Sequence, residues 1–207
     1  KVEKTIDESK YGNLFVDETV AVVGNQMVLK PGTYCDKLKI EGYDVTFLPG
    51  TYIMKNAGLE FKKGAQAEAY GVTFVMHGKE SAIKIESGSS LTVKAPEIGP
   101  YAGMAFYQNP EAAMIDRKGK TKDKMPTATS ELKGGASMNI TGTIYLPTQL
   151  MKVGSDSGMG TQSPATSFIG YQVAFEGGSK ISVAVDYEGE GLPPLAPQSD
   201  SGARLLR

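Results

Sequence analysis

A glycosidase needs two carboxylates placed about the scissile bond, and a polysaccharide lyase needs a base helped by Ca²⁺ or arginine. The chain offers Asp36, Glu41 and Asp44 near one turn, followed by Glu60, Glu80 and Glu86. None stands in an Asp-Asp, Asp-x-Asp or Gly-His-Gly grouping, so they read as solvated turn carboxylates rather than a catalytic pair. The single histidine, His77, follows the apolar run Val72–Met76 and precedes Gly78. With no serine or aspartate motif beside it, it reads as a turn or surface histidine rather than a general base. The single cysteine, Cys35, follows Tyr34 and lacks a cationic flank. It reads as a buried structural thiol, with a disulfide to a cysteine upstream of Lys1 as the alternative. Ser157-Gly158-Met159-Gly160-Thr161 fits neither a nucleophile elbow nor a phosphate loop. One histidine and one cysteine cannot build a zinc site. The expectation is a protein that is not an enzyme and carries no metal and no cofactor.

Binding chemistry has two candidate groups. Arg117, Lys118, Lys120, Lys122 and Lys124 cluster around Asp116 and Asp123. That excess of cations could dock an acidic partner or lipid headgroups, although a solvated loop is the plainer reading. Tyr101, Phe106 and Tyr107 could line a sugar-binding groove, whereas Tyr34, Tyr52 and Tyr145 sit at strand ends and read as ladder residues stacked coil on coil. The remaining balance is neutral: 22 Lys+Arg against 23 Asp+Glu, net charge −1, with no basic excess for nucleic acid. The longest apolar stretch, Val20–Val23, is far short of a membrane span. The start at Lys1 has no signal-like character, so the chain reads as a mature fragment of something longer.

These groups must be positioned by strands. No dozen residues show helical apolar spacing free of Gly and Pro. Short β-type runs recur instead, such as Leu38-Lys39-Ile40, Leu59-Glu60-Phe61, Ile83-Lys84-Ile85 and Leu91-Thr92-Val93, each soon followed by a turn residue. Pro31-Gly32-Thr33-Tyr34 recurs verbatim as Pro49-Gly50-Thr51-Tyr52, 18 residues later, and Val-Thr-Phe of 45–47 recurs at 72–74. Self-similarity at this scale points to an all-β, single right-handed parallel β-helix, favoured over an antiparallel sandwich. One coil cannot bury its inner face alone; stacking coils buries a continuous column. The predicted column is Val28, Ile40, Phe47, Ile53, Phe61, Phe74, Ile85, Val93, Phe106, Ile140 and Ile144. Residues 1–187 form the domain. A charged, Pro-containing loop insertion without strand signal occupies about 108–130 and should be dispensable for folding. A second loop spans 155–164, and 188–207 is a Pro-rich, extended C-terminal tail.

A family resemblance rests on four ordered pieces: Pro31 to Ile40, Gly71-Val72-Thr73-Phe74, Lys94-Ala95-Pro96 leading into Gly99-Pro100-Tyr101-Ala102-Gly103-Met104-Ala105-Phe106-Tyr107-Gln108, and Gly142-Thr143-Ile144-Tyr145-Leu146-Pro147. With the ending Ala203-Arg204-Leu205-Leu206-Arg207, the chain from about residue 27 resembles the C-terminal β-helical region of TadG-like proteins of tight-adherence (Tad) pilus systems. The resemblance implies a non-catalytic module of the bacterial cell envelope, periplasmic or extracellular, anchored through a missing N-terminal membrane segment. It would support pilus formation or surface adhesion by contacts with pilin or pilus-assembly proteins. The alternatives are a β-helical polysaccharide-binding adhesin or a polysaccharide lyase or hydrolase. The insertion at 108–130 departs from the family pattern and leaves room for a partner surface peculiar to this chain.

Overall fold

The computed structural model describes residues 20–115, 118, 124–184 and 186–193. The alternating apolar–polar triplets form short parallel strands stacked as a β-solenoid of about seven turns, with almost no helix. The first coil holds β1 (Val20–Val23), β2 (Gln26–Leu29), β3 (Gly32–Tyr34) and β4 (Leu38–Glu41). β1 is a hairpin strand, antiparallel to β2. The second coil holds β5 (Asp44–Phe47), β6 (Gly50–Lys55) and β7 (Leu59–Lys62), the third β8 (Gln66–Tyr70), β9 (Val72–His77) and β10 (Ile83–Ile85). The fourth holds β11 (Ser90–Lys94), β12 (Met104–Gln108), the short helix α1 (Pro110–Ala113) and β13 (Ala128–Leu132). The fifth is one 17-residue strand, β14 (Ser137–Val153), bent around all three faces. β15 (Gly158–Met159) and β16 (Thr166–Phe175) make the sixth, and β17 (Lys180–Ile181) begins the seventh.

Register defines three faces. Gln26, Asp44, Gln66, Ser90, Ser137, Gly158 and Lys180 align down the first. The second stacks β3, β6, β9, β12, the middle of β14 and the start of β16. The third stacks β4, β7, β10, β13, the end of β14 and the end of β16. Each strand sends alternate side chains inward, and the coils close these into one core. Nine of the eleven predicted core residues are buried there. Val28 and Ile53 are not; both are half-buried and point outward, because Met27 with Leu29 and Tyr52 with Met54 take the inward positions. A period of two leaves no middle choice, so misplacing one residue exchanges the faces.

The two verbatim repeats have different origins. In the Pro-Gly-Thr-Tyr pair, Gly32 is opposite Tyr52 and Tyr34 opposite Met54, so the copies are slid by two residues. Their phenols do the same local job. Tyr34 Oη donates to Lys30 O at 2.6 Å, and Tyr52 Oη to Leu48 O at 2.9 Å and Leu29 O at 2.7 Å. The motif encodes a corner, with a tyrosine returning to the carbonyl four residues upstream. Burial pushes both phenols above their usual pKa. Gly50, at φ 140°, lies so close to Pro31 that a Cβ would come within 2.7 Å of it, so the stacked corner needs glycine. Val-Thr-Phe is not a structural repeat: Val45 lies on the first face in β5 and Val72 on the second in β9. Within the core, Phe47, Tyr52, Phe74 and Phe106 form a continuous aromatic column with neighbouring centroids 5.1–5.5 Å apart.

The predicted loops are more structured than their composition indicated. Within 108–130, α1 is capped by Asn109 and buries Ala112 and Ala113, and β13 supplies a full rung of the third face. Replacing Glu111–Thr129 would remove a capped helix and the start of a rung. In 155–164, Gly158–Met159 is a rung of the first face. Of the predicted tail, residues 188–193 lie against the solenoid: Leu192 is buried, and Lys94 pairs with Glu190 at 3.3 Å.

Candidate interaction surface

The outward positions of the third face account for three of the six candidate carboxylates, Glu41, Glu60 and Glu86. One column reads Lys39, Glu60, Lys84, Glu131, Lys152 in register, alternating in sign at every step. Beside it, Lys62 bridges Glu60 at 2.7 Å and Glu86 at 3.1 Å, and Lys133 reaches Glu86 at 3.2 Å. Glu41 is held by Lys39 and by Lys63, the latter at 2.6 Å, and Lys37 completes Glu60 at 2.9 Å. Hydrogen bonds from Lys39 and Lys63 hold the Glu41 carboxyl at about 2. Burial opposes ionisation of Glu60, only 6% exposed, but the hydrogen bonds from Lys62 and Lys37 outweigh it and lower its pKa. Lys62 does the same for Glu86, again against burial. A general acid needs a raised pKa; these three are pushed the other way. A shallow cleft of about 280 Å³ lies beside them, lined by Lys37, Glu60, Glu80, Lys84 and Thr129. Asp44, on the first face, accepts from Asn25 Nδ2 at 3.3 Å.

The second face has a different exterior. Thr33, Ile53, Val75, Tyr107, Tyr145 and Ile169 follow one another in register. After Thr33 that column is apolar or aromatic at every rung. Tyr107 stacks on Tyr145 with centroids 5.7 Å apart and planes at 14°. Tyr101, carried by the turn before β12, tilts over Tyr107 at 5.8 Å. Two residues singled out from sequence, Tyr101 and Tyr107, are therefore brought together, with Tyr145 as a third member. Phe106 is not part of this surface: it points inward and stacks on Phe74 at 5.1 Å. Tyr34 and Tyr52 do stack, at 5.7 Å, but inside the core, so the three strand-end tyrosines form two separate stacks.

The charged insertion springs from the corner beside this stripe. Its entry is fixed by Asn109, whose Oδ1 accepts from Glu111 N at 3.0 Å and Ala112 N at 3.1 Å. Its exit is fixed by a buried polar network that sequence reading missed. Thr148 donates through N and Oγ1 to Gln108 Oε1, Ser130 Oγ to Gln149 Oε1 at 2.6 Å, and Gln149 Nε2 to Ser81 O at 2.7 Å. The only sequence signal for it was polar residues at inward positions of otherwise apolar strands. Of the basic cluster, Lys118 and Lys124 are exposed, whereas Arg117, Lys120 and Lys122 lie outside the described residues.

The remaining candidates separate cleanly. Cys35 is exposed and free, so it is not the buried structural thiol expected; the strand turns its alternate neighbour Tyr34 inward. His77 ends β9, half-buried, and its carbonyl accepts from Asn56 N at 2.6 Å. Ser157 is buried, with Oγ donating to Lys133 O at 2.8 Å, a corner bond rather than a nucleophile. No group of three or more His, Cys, Asp or Glu suited to a metal ion occurs among the described residues. No described helix is long and apolar enough to cross a membrane. No protein-family model, curated protein or solved structure matches the chain.

Proposed function

We propose that this chain is a non-catalytic, extracytoplasmic module of a tight-adherence pilus assembly protein, and that it works by holding a protein partner along its second face. One observation carries the docking part: the outward column Ile53, Val75, Tyr107, Tyr145, Ile169 is apolar at every rung, and all of it but the buried Val75 reaches solvent. Half-exposed aromatic residues on a rigid sheet give large contact area at small entropic cost, which is the composition of interface anchors. Three of the six candidate carboxylates, Glu41, Glu60 and Glu86, are committed to lysines. The pilus setting, the envelope location and pilin or an assembly protein as partner rest on the ordered motifs of the sequence. A stiff solenoid suits that task, because a flat side can bind without chemistry.

The test is cross-linking in cells. A photoreactive residue in place of Tyr107 should capture a pilus-assembly protein or pilin, and Tyr107→Ser with Tyr145→Ser should lower pilus number or attachment. Unchanged pili and adhesion would sink the reading. The tyrosine stack also suits a sugar ring, so a glycan array separates a polysaccharide-binding adhesin from a protein-docking module. Cleavage of a polysaccharide that is lost in Glu41→Ala would overturn both.

A further inference from the structure

Beyond β17 the chain turns back along the stack. Tyr187 Oη donates to Ser167 Oγ, Glu190 pairs with Lys94 at 3.3 Å, and a Cβ on Gly191 would lie 3.2 Å from the Glu97 carboxyl carbon. Leu192 is buried, and Pro193 is exposed yet so close to Gly103 that a Cβ there would lie 3.3 Å from its ring. These contacts carry the segment from the sixth coil to the fourth, and from the end of the first face to the start of the second. Gly103 closes the turn that bears Tyr101 and leads into β12, the strand of Tyr107.

The residues that follow have one marked character. Pro193-Pro194-Leu195-Ala196-Pro197 is apolar throughout, and three of its five residues are proline. Proline fixes φ near −65° and pushes the residue before it into an extended conformation. Together these effects restrict Leu192, Pro193, Pro194, Ala196 and Pro197, so the sequence itself favours a polyproline II run. Such a run has no internal hydrogen bonds, loses little entropy on binding and docks on aromatic-lined surfaces.

Tyr101, Tyr107 and Tyr145 are such a surface. All three are half-buried, with successive ring centroids 5.8 and 5.7 Å apart. Reach and direction agree. Four strand residues from Gly103 to Tyr107 span about 13 Å, and four polyproline residues from Pro193 to Pro197 about 12 Å. In that helix positions i and i+3 share a side, which sets Pro194 and Pro197 together toward the sheet.

We infer that the chain's own segment 194–197 lies on this stack as a polyproline II strand, Pro194 at Tyr101 and Pro197 at Tyr107 and Tyr145. The second face thereby carries a built-in competitor for a partner that docks there. A tether this short gives an effective concentration in the mM range, so an affinity of only about 0.1 mM keeps the stack occupied. Tethering is what selects this occupant over a separate proline-rich chain. The strap rests on the docking reading of the second face, to which it adds a ligand chemistry and a control on access.

The test is nuclear magnetic resonance on the 207-residue chain with Cys35→Ser. Nuclear Overhauser contacts should join the Tyr107 ring to Pro197 and the Tyr101 ring to Pro194. Prolines that contact no tyrosine of the stack overturn the assignment. Titration with a synthetic peptide of residues 192–199 gives a second reading. Pro194→Ser with Pro197→Ser, both beyond the buried Leu192, should uncover the stack. The peptide should then bind this variant at least about tenfold more tightly than the parent. Adding Tyr107→Ser to the variant should abolish that gain. Equal binding by parent and variant, or tight binding that survives Tyr107→Ser, overturns the assignment. None of these readouts needs a pilus partner, so the two readings fail separately. A tail that contacts the tyrosines in a chain that captures no pilus protein sinks the pilus reading alone; a bare stack in a chain that captures one sinks the strap alone.

Discussion

The second and third faces are built on the same backbone, rung for rung, around the same core, yet their exteriors follow opposite rules. On the third face the central outward column from Lys39 to Lys152 alternates in sign at every rung, and Glu41, Glu60 and Glu86 are each held by lysines. On the second face the central outward column from Ile53 to Ile169 is apolar or aromatic and gains little by lying in a column. The alternating face is self-sufficient, since cross-strand pairs of opposite charge stabilise their own stacking. The apolar face leaves surface that water solvates poorly. On the proposed reading, stability and binding fall on different sides of one rod: removing a third-face charge should register in a melt, and removing a second-face tyrosine should register in an assay of partners.

The comparison is broken most severely from inside. Phe74 lies beneath the second face, fully buried between Phe47 and Phe106. Phe74→Ala should cost about 3–5 kcal/mol in a urea melt. A loss below about 1 kcal/mol would mean that the aromatic column is not the main support of this face.

The third face comes next. Glu60→Ala takes its partner from Lys37 and leaves Lys62 with Glu86 alone, and should cost about 1–2 kcal/mol, less than a fully buried pair because Lys37 is half in water. The loss should shrink as salt is added; a salt-independent loss would point to packing instead. Glu41 sharpens the comparison through pH. Its carboxyl is lowered to about 2. A depressed folded pKa contributes stability that is complete above the unfolded value and is lost as pH falls through the folded one. Glu41→Gln should therefore cost about 1 kcal/mol at pH 6. The gap to the parent should narrow through pH 4 and 3 and close near 2. A gap that widened on acidification would reverse the sign argued here.

Much of this architecture was legible because solenoid strands carry their own pattern. Leu38-Lys39-Ile40, Leu59-Glu60-Phe61 and Ile83-Lys84-Ile85 are apolar-in, charged-out triplets, and they stack on one another as their spacing implied. The alternation of Lys39, Glu60 and Lys84 was visible in those same triplets, but its meaning needed the register between them. What misled were signals that look periodic without being structural. Val-Thr-Phe recurs on two different faces, and Val28 and Ile53 are as apolar as the inward residues beside them. The segment between Gln108 and Leu132 looked like a free loop because the groups that hold it are polar. Gln108, Ser130 and Gln149 stabilise it by hydrogen bonds across coils, and hydropathy does not register them. Tyr101 and Tyr107 were found from sequence; Tyr145 completes their stack only because β14 places it one rung above Tyr107.

The smallest effect on the fold should accompany the largest effect on binding. Tyr107 is half-exposed, with Tyr101 tilted over it and Tyr145 flat against it. An exposed aromatic pair of this kind contributes about 0.5–1 kcal/mol, so Tyr107→Ser should move the denaturation midpoint only slightly. Its removal breaks the stripe at the middle rung, beside the insertion that α1 and β13 frame. Interface energy concentrates in central aromatic residues, so a partner that uses this face should lose more than about 2 kcal/mol of binding, roughly thirtyfold in affinity. Glu131→Gln, on the neighbouring face and at similar depth in the stack, is the matched control and should leave binding within about twofold. Should the control weaken binding as much as Tyr107→Ser, the partner would sit on the charged face, and the division of labour between the two sides would be lost.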